Sequence, residues 1–409
     1  MLIGNAIVGQ SGGPTAAINA TLAGVIRGAQ ENPAVKRLFG AFNGVEGMLA
    51  GHFTDLSDLS EDDLRLLSNT PAAALGSCRR KLPKPGSTDA EEVYEKLLDF
   101  FKKNDIRYFF YIGGNDSMDT VAKLSEWMVD KNYELRVMGV PKTIDNDVTG
   151  TDHTPGYGSA AKFIATAMQE ILRDTAVYTV KAVTIVEIMG RDAGWLTAAA
   201  ALPRKLCGVA PDLVYLPERE FSYEKFYADL DKAFETHPNV VVAVSEGIRL
   251  ANGRYVGEDD QSGAFDAFGH RYLSGTGRTL EFAVKDMFGC KVRSVELNLL
   301  QRCASHIASA TDLEESVIVG KAAVNAAVNG ETAKMMCFER LPGEKYSVRV
   351  FPEDIEKIAN KIRTVPDSFI NAAGNNVTDA GIDYIAPLIL GEPEISFENG
   401  LPRHFVFRR

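Results

Sequence analysis

Short apolar runs alternate with longer segments of helical spacing, and a glycine-rich or acidic turn joins each run to the next helix. Residues 3–8 form one such run, and residues 15–30 after it carry apolar side chains at helical spacing. Residues 108–112 have no polar face, as expected for a strand buried in a parallel sheet. Further apolar runs lie at residues 136–140, 180–189, 213–216 and 240–244. We therefore predict an α/β fold with open, mostly parallel sheets covered by helices on both faces.

The predicted fold class indicates where a ligand would bind. In open parallel sheets, ligands bind outside the carboxyl ends of the strands. The polar turns that follow the apolar runs lie at those ends, so their residues are the first candidates for a functional site. The length of 409 residues predicts two or three domains.

Composition narrows the class of protein. The chain is 45% hydrophobic and 24% charged, which is ordinary for a globular protein with a large core. Its net charge of -11 and its lack of a Lys/Arg block argue against nucleic acid as a partner. No apolar stretch approaches the length of a membrane-spanning helix, so we expect no membrane partner. The five scattered cysteines form no C-x-x-C, which favours a reduced, cytoplasmic protein without structural zinc.

The most informative turn is P-K-T-I-D-N-D at residues 141–147, which places two carboxylates two residues apart. In an extended turn, side chains at i and i+2 point the same way, so Asp145 and Asp147 would face one cleft. Two such carboxylates repel each other unless a cation or a shared proton lies between them. Phosphoryl transfer uses this arrangement, with one Asp to accept a hydroxyl proton and one to hold Mg²⁺. The alternative is a surface turn in which Asp and Asn bond their own backbone.

Two glycine-rich turns are candidates for binding phosphate. Gly12 and Gly13 precede a proline and would let backbone N–H groups approach an anion, although a plain strand-to-helix turn fits equally well. Residues 113–117 read G-G-N-D-S, where Asp116 would repel a phosphate unless Mg²⁺ bridges the two. Asp116 or Ser117 could instead cap the following helix. Neither turn is a Walker A motif or a G-x-G-x-x-G dinucleotide fingerprint.

Several cations and one acid complete the set of candidates. Arg79 begins the densest local cluster of cations and could clamp phosphate oxygens, whereas a solvated run of charges is the alternative. Arg191 could hold a sugar phosphate and Glu246 a sugar hydroxyl, and Arg293 and Arg302 add further positive charge. The six dispersed histidines form no recognisable triad with Ser or Cys, so acyl transfer has no support.

Taken together, these turns resemble the phosphofructokinase family. The matching motifs run in order from residue 12 to residue 302: G-G-P-T, G-S-C-R, G-G-N-D-S, P-K-T-I-D-N-D, M-G-R-D-A-G-W, S-E-G and Q-R. The resemblance implies two Rossmann-like, doubly wound domains with mostly parallel sheets and an active site in the cleft between them. It also implies phosphorylation of fructose 6-phosphate at its 1-hydroxyl, with Mg²⁺.

The resemblance assigns a role to each matching position. Asp145 would be the base that takes the 1-hydroxyl proton, Thr143 would lie beside the transferred phosphoryl group, and Asp116 and Asp147 would hold Mg²⁺. The phosphoryl donor would be bound by Gly12, Gly13, Arg79, Asp116 and Lys142. The sugar phosphate would be bound by Thr143, Asp145, Met189, Gly190, Arg191, Glu246 and Arg302. Arg293 would reach the substrate of a neighbouring subunit, which implies a homodimer or homotetramer.

Two positions distinguish between phosphoryl donors. ATP-using bacterial members of the family usually have glycine where this chain has Asp116 and Lys142. Glycine leaves room for the α-phosphate of ATP, whereas Asp116 would fill that space with a carboxylate of the wrong sign. Lys142 would place an ammonium group beside pyrophosphate oxygens and the transferred phosphoryl group, which makes it a catalytic residue together with Asp145 and Thr143. The resemblance therefore favours pyrophosphate as the donor, in a glycolytic reaction that we expect to run in both directions.

Two alternatives stay open. One is an ATP-dependent 6-phosphofructokinase, which glycine at position 116 would have favoured. The other is a non-catalytic regulatory subunit that senses sugar phosphates, although such a subunit could lose Asp145 or Asp147 and both are present. Asn115 stands where the family often has an acid and is a poorer Mg²⁺ ligand, which leaves more of that task to the acids or to water.

The resemblance also implies how the chain divides into domains. We predict a phosphoryl-donor domain of residues 1–154 plus about 303–350. We predict a sugar-phosphate domain of about residues 155–302 plus 351–409. Within the tail, the pattern indicates a strand at residues 335–339 and a helix at residues 352–363.

Overall fold

The computed structural model describes residues 2–88, 90–258 and 275–407, in which strands and helices alternate as the apolar pattern predicts. The strands are β1 (Gly4–Gln10), β2 (Val35–Ala41), β3 (Phe53–Asp55), β4 (Ile106–Gly113), β5 (Arg136–Pro141), β6 (Ala182–Ile188), β7 (Leu213–Tyr215), β8 (Asn239–Ser245), β9 (Lys291–Glu296), β10 (Lys334–Arg340), β11 (Val348–Asp354), β12 (Phe397–Glu398) and β13 (Leu401–Pro402).

The helices connect these strands. They are α1 (Ile18–Glu31), α2 (Gly44–Ala50), α3 (Glu61–Ser68), α4 (Ala90–Lys103), α5 (Asn115–Met128), α6 (Tyr157–Thr175), α7 (Trp195–Ala198), α8 (Pro203–Cys207), α9 (Tyr223–Phe234), α10 (Thr276–Phe288), α11 (Leu300–Cys303), α12 (Ala310–Val328) and α13 (Asp379–Ile385). Within the described ranges, no helix combines the length and the apolar character that crossing a membrane requires.

Seven strands form the larger sheet, in the order β11-β10-β5-β4-β1-β2-β3. The central strands from β10 to β2 are parallel, and β11 and β3 pair antiparallel at the two edges. Successive side chains of a strand point to opposite faces, so Ala6 and Val8 pack in the core beneath α1 and α12, whereas Ile7 packs in the core beneath α4 and α5. Helices therefore cover both faces.

The smaller sheet has four parallel strands in the order β7-β8-β6-β9. Val186 and Ile188 of β6 pack in the core that contains α6 and α13, and Val183 and Ile185 pack in the core that contains α9 and α10. Both sheets are thus wound on two faces. The predicted α/β class with doubly wound, mostly parallel sheets is confirmed.

The tail returns to the larger sheet after α12. β10 confirms the strand predicted there, but the helix predicted at residues 352–363 is wrong. Pro352 pairs with Met336 in β11, and only a 3-10 turn at Ile355–Lys357 follows. An edge strand tolerates a proline that lacks an N–H, and strand pairing here outweighs the local helical spacing.

The predicted division into two domains stays a prediction. β11 pairs with β10 along its whole length, so the predicted boundary near residue 350 falls inside a strand of the larger sheet.

Candidate active site

The carboxyl ends of strands from both sheets open into one cavity of about 520 Å³. The turns after β1, β4 and β5 form one wall, and the turns after β6 and β8 form the other. This is the position that open parallel sheets favour for ligands. Polar side chains from turns far apart in the sequence therefore meet in one cleft.

The carboxylate turn, residues 142–147, follows β5 directly. The backbone N–H of Lys142 donates to the carbonyl of Gly113 at 3.0 Å, which extends the pairing of β5 with β4. Asn146 is buried and has a φ of 53°, a conformation that Asn tolerates better than most residues. Asp145 and Asp147 on either side of it both line the cavity. The turn is therefore part of the cleft wall and differs from the surface turn that was the alternative.

The cleft raises the pKa of both carboxylates. Desolvation and the neighbouring Asp145 charge raise the pKa of Asp147 to about 7. Desolvation also raises the pKa of Asp145, although a hydrogen bond from Thr143 and the charge of Lys142 oppose it. The Asp145 carboxylate is open to water in the cavity, but the surrounding walls remove part of its solvation. A carboxylate with a raised pKa is a better proton acceptor near neutral pH.

Lys142 lies buried beneath the first glycine-rich turn. Its Nζ donates a hydrogen bond of 2.6 Å to the carbonyl of Gly13. Gly12 has a φ of 77°, and a Cβ there would lie 3.2 Å from the same Nζ, so glycine is the residue that this close approach requires. Burial lowers the pKa of Lys142 to about 8, with the Asp145 charge opposing the shift and Arg302 adding to it. The ammonium group is thus held between the glycine turn and the carboxylates.

Asp116 lies in the first turn of α5 at the same end of the cleft. The N-cap residue of α5 is Gly114, so Asp116 does not cap the helix. Its carboxylate instead pairs with Lys81, with Oδ1 3.0 Å from Nζ. Arg79 lines the same part of the cavity. This end of the cleft therefore combines the Asp116 carboxylate with the cations Lys81 and Arg79.

The same end of the cleft also has oxygen atoms suited to a divalent cation. Asp116 and Asp147 both line the cavity, and Asn115 donates through Nδ2 to Oδ2 of Asp147 at 3.3 Å. The buried Oδ1 of Asn115 has no hydrogen-bond partner. Across the described residues, no group of three or more His, Cys, Asp or Glu side chains could hold a metal. This set of donors fits a hard cation that keeps several ligands from water and phosphate.

The opposite wall combines a carboxyl group and a guanidinium group. The N–H of Gly190 donates to Oε1 of Glu246 at 3.2 Å, and burial raises the pKa of Glu246 to about 8. A Cβ at Gly190, whose φ is 138°, would lie 2.6 Å from the carbonyl oxygen of Ala193. The buried Nε of Arg191 has no hydrogen-bond partner. These groups suit hydroxyl and phosphate oxygens of a ligand.

Comparisons with known proteins identify the family to which the chain belongs. The family model described as phosphofructokinase matches residues 5–327, a range that includes the turns after β1, β4, β5, β6 and β8. The chain belongs to the phosphofructokinase family. A relative from Xanthomonas campestris is 41% identical over 407 residues, covering 99% of this chain and 96% of the relative. Another from Halomonas elongata is 40% identical over 402 residues, covering 98% and 95%.

Both of these phosphofructokinase relatives are named pyrophosphate–fructose 6-phosphate 1-phosphotransferase. A solved structure agrees with them in fold. The pyrophosphate-dependent phosphofructokinase from Nitrosospira multiformis has a TM-score of 0.88 at 36% identity, covering 98% of this chain and 96% of that one.

The structure brings together every predicted site residue of this phosphofructokinase except Arg293. The residues that line the cavity are Gly12, Gly13, Arg79, Asp116, Lys142, Thr143, Asp145, Asp147, Met189, Gly190, Arg191, Glu246 and Arg302. Arg293 lies on β9, at the edge of the smaller sheet, beside a separate small groove. The individual roles, including the contact of Arg293 with a neighbouring subunit, stay predictions.

Sequence reasoning missed three contributions to the site. Lys81 was visible only as part of a run of charges, because its partner Asp116 lies in a distant turn. Asn360 and Ile362 line the cavity from the segment that was predicted to be helical. No local motif marks those two positions, since only the folding of the tail against the carboxylate turn brings them to the cleft.

Proposed function

We propose that this member of the phosphofructokinase family transfers a phosphoryl group from pyrophosphate to the 1-hydroxyl of fructose 6-phosphate. The product is fructose 1,6-bisphosphate, and the reaction is a step of glycolysis. The observation that carries the proposal is the donor end of the cleft, where buried Lys142 and the Lys81–Asp116 pair surround a space lined by Gly12 and Gly13. The names of the two bacterial relatives support the same reaction.

Asp145 acts as the base in the proposed reaction. It takes the proton of the 1-hydroxyl while that oxygen bonds to the terminal phosphorus of pyrophosphate. The bond between this phosphorus and the bridging oxygen breaks, and phosphate leaves. Oγ1 of Thr143 lies 3.2 Å from Oδ2 of Asp145, where it orients the carboxylate beside the transferred group. The raised pKa of Asp145 favours proton transfer near neutral pH.

Positive charge at the donor end stabilises the transferred phosphoryl group. Lys142 and Arg79 line the cavity, and the two side chains are close enough for the charge of Arg79 to affect the pKa of Lys142. Phosphoryl transfer depends mainly on positioning and on neutralising charge, and these cations supply both. Asp116 and Asp147, with the unpartnered oxygen of Asn115, would hold Mg²⁺. When bound, Mg²⁺ neutralises phosphate oxygens and helps to align donor and acceptor.

Asp116 favours pyrophosphate over ATP. In ATP, a further phosphate would extend into the region of the Asp116 carboxylate, which pairs with Lys81 at 3.0 Å. Like charges forced together cost several kcal/mol. Pyrophosphate has no such further phosphate and can bind beside the Lys81–Asp116 pair. The ATP-dependent alternative has no comparable observation in its favour.

The other end of the cleft would bind the phosphoryl acceptor, fructose 6-phosphate. Arg191 and Arg302 would bind the sugar phosphate, Glu246 would bind a sugar hydroxyl, and Met189 would pack against the ring. We further propose that Arg293 completes the site of a neighbouring subunit in a cytoplasmic homodimer or homotetramer. Its place on an exposed edge strand, outside this chain's own cleft, supports that role.

The regulatory-subunit alternative lacks support, because Asp145 and Asp147 both face the cleft with raised pKa values.

The proposed reaction can be tested through its reversibility. Purified protein with Mg²⁺ should convert fructose 6-phosphate and pyrophosphate to fructose 1,6-bisphosphate. It should also form pyrophosphate from fructose 1,6-bisphosphate and orthophosphate, with phosphorus NMR following both directions. Activity in neither direction would reject the proposed function.

A further inference from the structure

We infer that Arg363 is a positioning residue that holds the carboxylate turn and ties it to the opposite wall of the cleft. Arg363 lies in the tail, outside the residues 5–327 that the family model matches. Its side chain does not line the cavity. The inference rests on the proposed function, since it assigns Arg363 to the same reaction.

The first set of contacts joins Arg363 to the carboxylate turn. Its backbone N–H donates to the carbonyl of Asp147 at 2.7 Å. Its guanidinium donates to the carbonyl of Asn146 through Nε at 3.2 Å and Nη2 at 3.0 Å. Nη1 donates to the carbonyl of Asp152. One residue thus binds two consecutive carbonyls of the turn and a third one five residues later.

These contacts act on the residue that shapes the turn. Asn146 has a φ of 53° and separates the two carboxylates of the site. Its Oδ1 accepts from the backbone N–H of Thr154 at 3.0 Å, and its Nδ2 donates to Oη of Tyr384 at 3.2 Å. With Arg363 on its carbonyl, every polar group of the Asn146 side chain and its backbone oxygen is bound. These hydrogen bonds fix Asn146 in its left-handed backbone conformation, and they thereby keep the neighbouring Asp145 and Asp147 at fixed positions.

The second set of contacts joins Arg363 to the sugar wall. Its guanidinium lies 4.4 Å from the ring centre of Trp195, and Nε1 of Trp195 donates to the carbonyl of Arg363 at 3.0 Å. Trp195 directly follows the turn that carries Met189 and Arg191. Two residues further on, the N–H of Val365 donates to Oε1 of Glu218 at 2.9 Å, the same atom that accepts from Gly194.

Arg363 therefore connects the proton-accepting Asp145 with the turn that would bind the sugar. The distance between base and hydroxyl depends on how these two walls are placed. A misplacement of about 1 Å can lower a rate by about 10²-fold, so loss of this connection should appear mainly in kcat.

The test compares Arg363→Met and Arg363→Lys with wild type in steady-state kinetics. Arg363→Met should lower kcat by about 10- to 100-fold, while KM for fructose 6-phosphate and pyrophosphate changes by less than about threefold. Arg363→Lys keeps the positive charge near Trp195 but cannot bind the Asn146 and Asp152 carbonyls together, so its kcat should fall between those of wild type and Arg363→Met. Arg349→Met is the control, since Arg349 is an exposed residue of β11 that pairs with Glu339. It should match wild type.

The following results would overturn the proposed role of Arg363. A kcat of Arg363→Met within about twofold of wild type would overturn the inference, as would a rise in KM with kcat unchanged. If Arg363→Met does not fold, Tyr384→Phe takes its place, because it removes the hydroxyl that binds both Asn146 and Arg363. It should lower kcat with little change in KM, and an unchanged kcat would overturn the inference. Inactive wild type and Arg349→Met would instead show that the proposed function is wrong.

Discussion

Asp145 is the residue on which the proposed chemistry depends most. It lines the cleft one residue before Asn146, and desolvation raises its pKa. The positive charges of Lys142, Arg191 and Arg302 oppose that shift, because they favour the ionised carboxylate. A carboxylate whose pKa is raised accepts a proton more readily than one with the ordinary pKa.

Replacing Asp145 tests its role as the base. Asp145→Asn should lower kcat by about 10²–10⁴-fold, because the amide cannot accept the hydroxyl proton. Binding of fructose 6-phosphate, measured by calorimetry, should stay within about threefold of wild type, since the phosphate contacts remain. Asp62→Asn on α3 is the control, as Asp62 is an exposed residue paired with Arg65. Full activity in Asp145→Asn would remove this residue as the base.

Asp116 can be tested for size and for charge separately. Asp116→Gly should raise kcat/KM for ATP by at least about 10-fold, because the variant removes both bulk and like charge. Asp116→Asn keeps the size but removes the charge, so a gain in this variant too would identify repulsion as the main barrier. Steady-state assays with each donor provide the comparison. If neither variant gains activity with ATP, Asp116 does not determine donor choice.

At the scale of elements, the turns were predictable and the tail was not. Gly12, Asp116 and Asp145 each stand in a short local motif at the end of an apolar run, so the sequence indicates both their place and their chemistry. The pairing of Lys81 with Asp116 and the contacts of Arg363 depend on segments that meet only in the folded chain. The helix predicted at residues 352–363 failed for the same reason, since pairing with β10 decided the local structure.

A buried histidine links α12 to the larger sheet. Nδ1 of His153 lies 2.9 Å from Asp152, and Nε2 lies 2.7 Å from Glu315 of α12. The ring stacks on Phe338 of β10, with centroids 4.7 Å apart. Burial lowers the pKa of His153, but hydrogen bonds to the two carboxylates outweigh it and raise the pKa above 6.5 overall. Tyr346 also donates to Glu315 at 2.8 Å.

This arrangement makes stability depend on pH. Because the folded-state pKa of His153 lies above its unfolded value, its stabilisation is complete below about pH 6.5 and is lost as pH rises through the folded-state pKa. His153→Gln should lower the free energy of unfolding by about 3–5 kcal/mol below that pH, and by less at higher pH. Denaturant unfolding across pH measures the difference. His237→Gln, at a half-exposed site beside Asp212, is the control. If the difference in the free energy of unfolding between wild type and His153→Gln did not change with pH, His153 would not be charged in the folded protein.

At the scale of the whole molecule, the cleft between the two sheets explains why one chain can bind a donor and an acceptor together. Turns of the larger sheet supply Gly12, Asp116 and Lys142 to the cleft, and turns of the smaller sheet supply Arg191 and Glu246. Apolar periodicity predicts such sheets well, because both faces of each are buried. Apolar periodicity does not predict the number of subunits, because an exposed edge strand such as β9 does not reveal its partner.

Subunit mixing tests the proposed role of Arg293. Arg293→Ala and Asp145→Asn should each be nearly inactive alone. Hybrids refolded from equal amounts should regain activity, because an intact Asp145 and an intact Arg293 from different chains can then form one site. The measurement compares the steady-state rate of the refolded mixture with the rates of the two separate variants. An Arg293→Ala variant with wild-type activity would show that this residue does not complete a neighbouring site.

The choice of donor is the most direct test of the proposed function. We would measure kcat/KM for pyrophosphate and for ATP with saturating fructose 6-phosphate and Mg²⁺. We expect pyrophosphate to exceed ATP by at least about 10³-fold, since several kcal/mol of like-charge repulsion corresponds to that ratio. Equal values, or a preference for ATP, would contradict the conclusion that the Lys81–Asp116 pair and Lys142 form a pyrophosphate site.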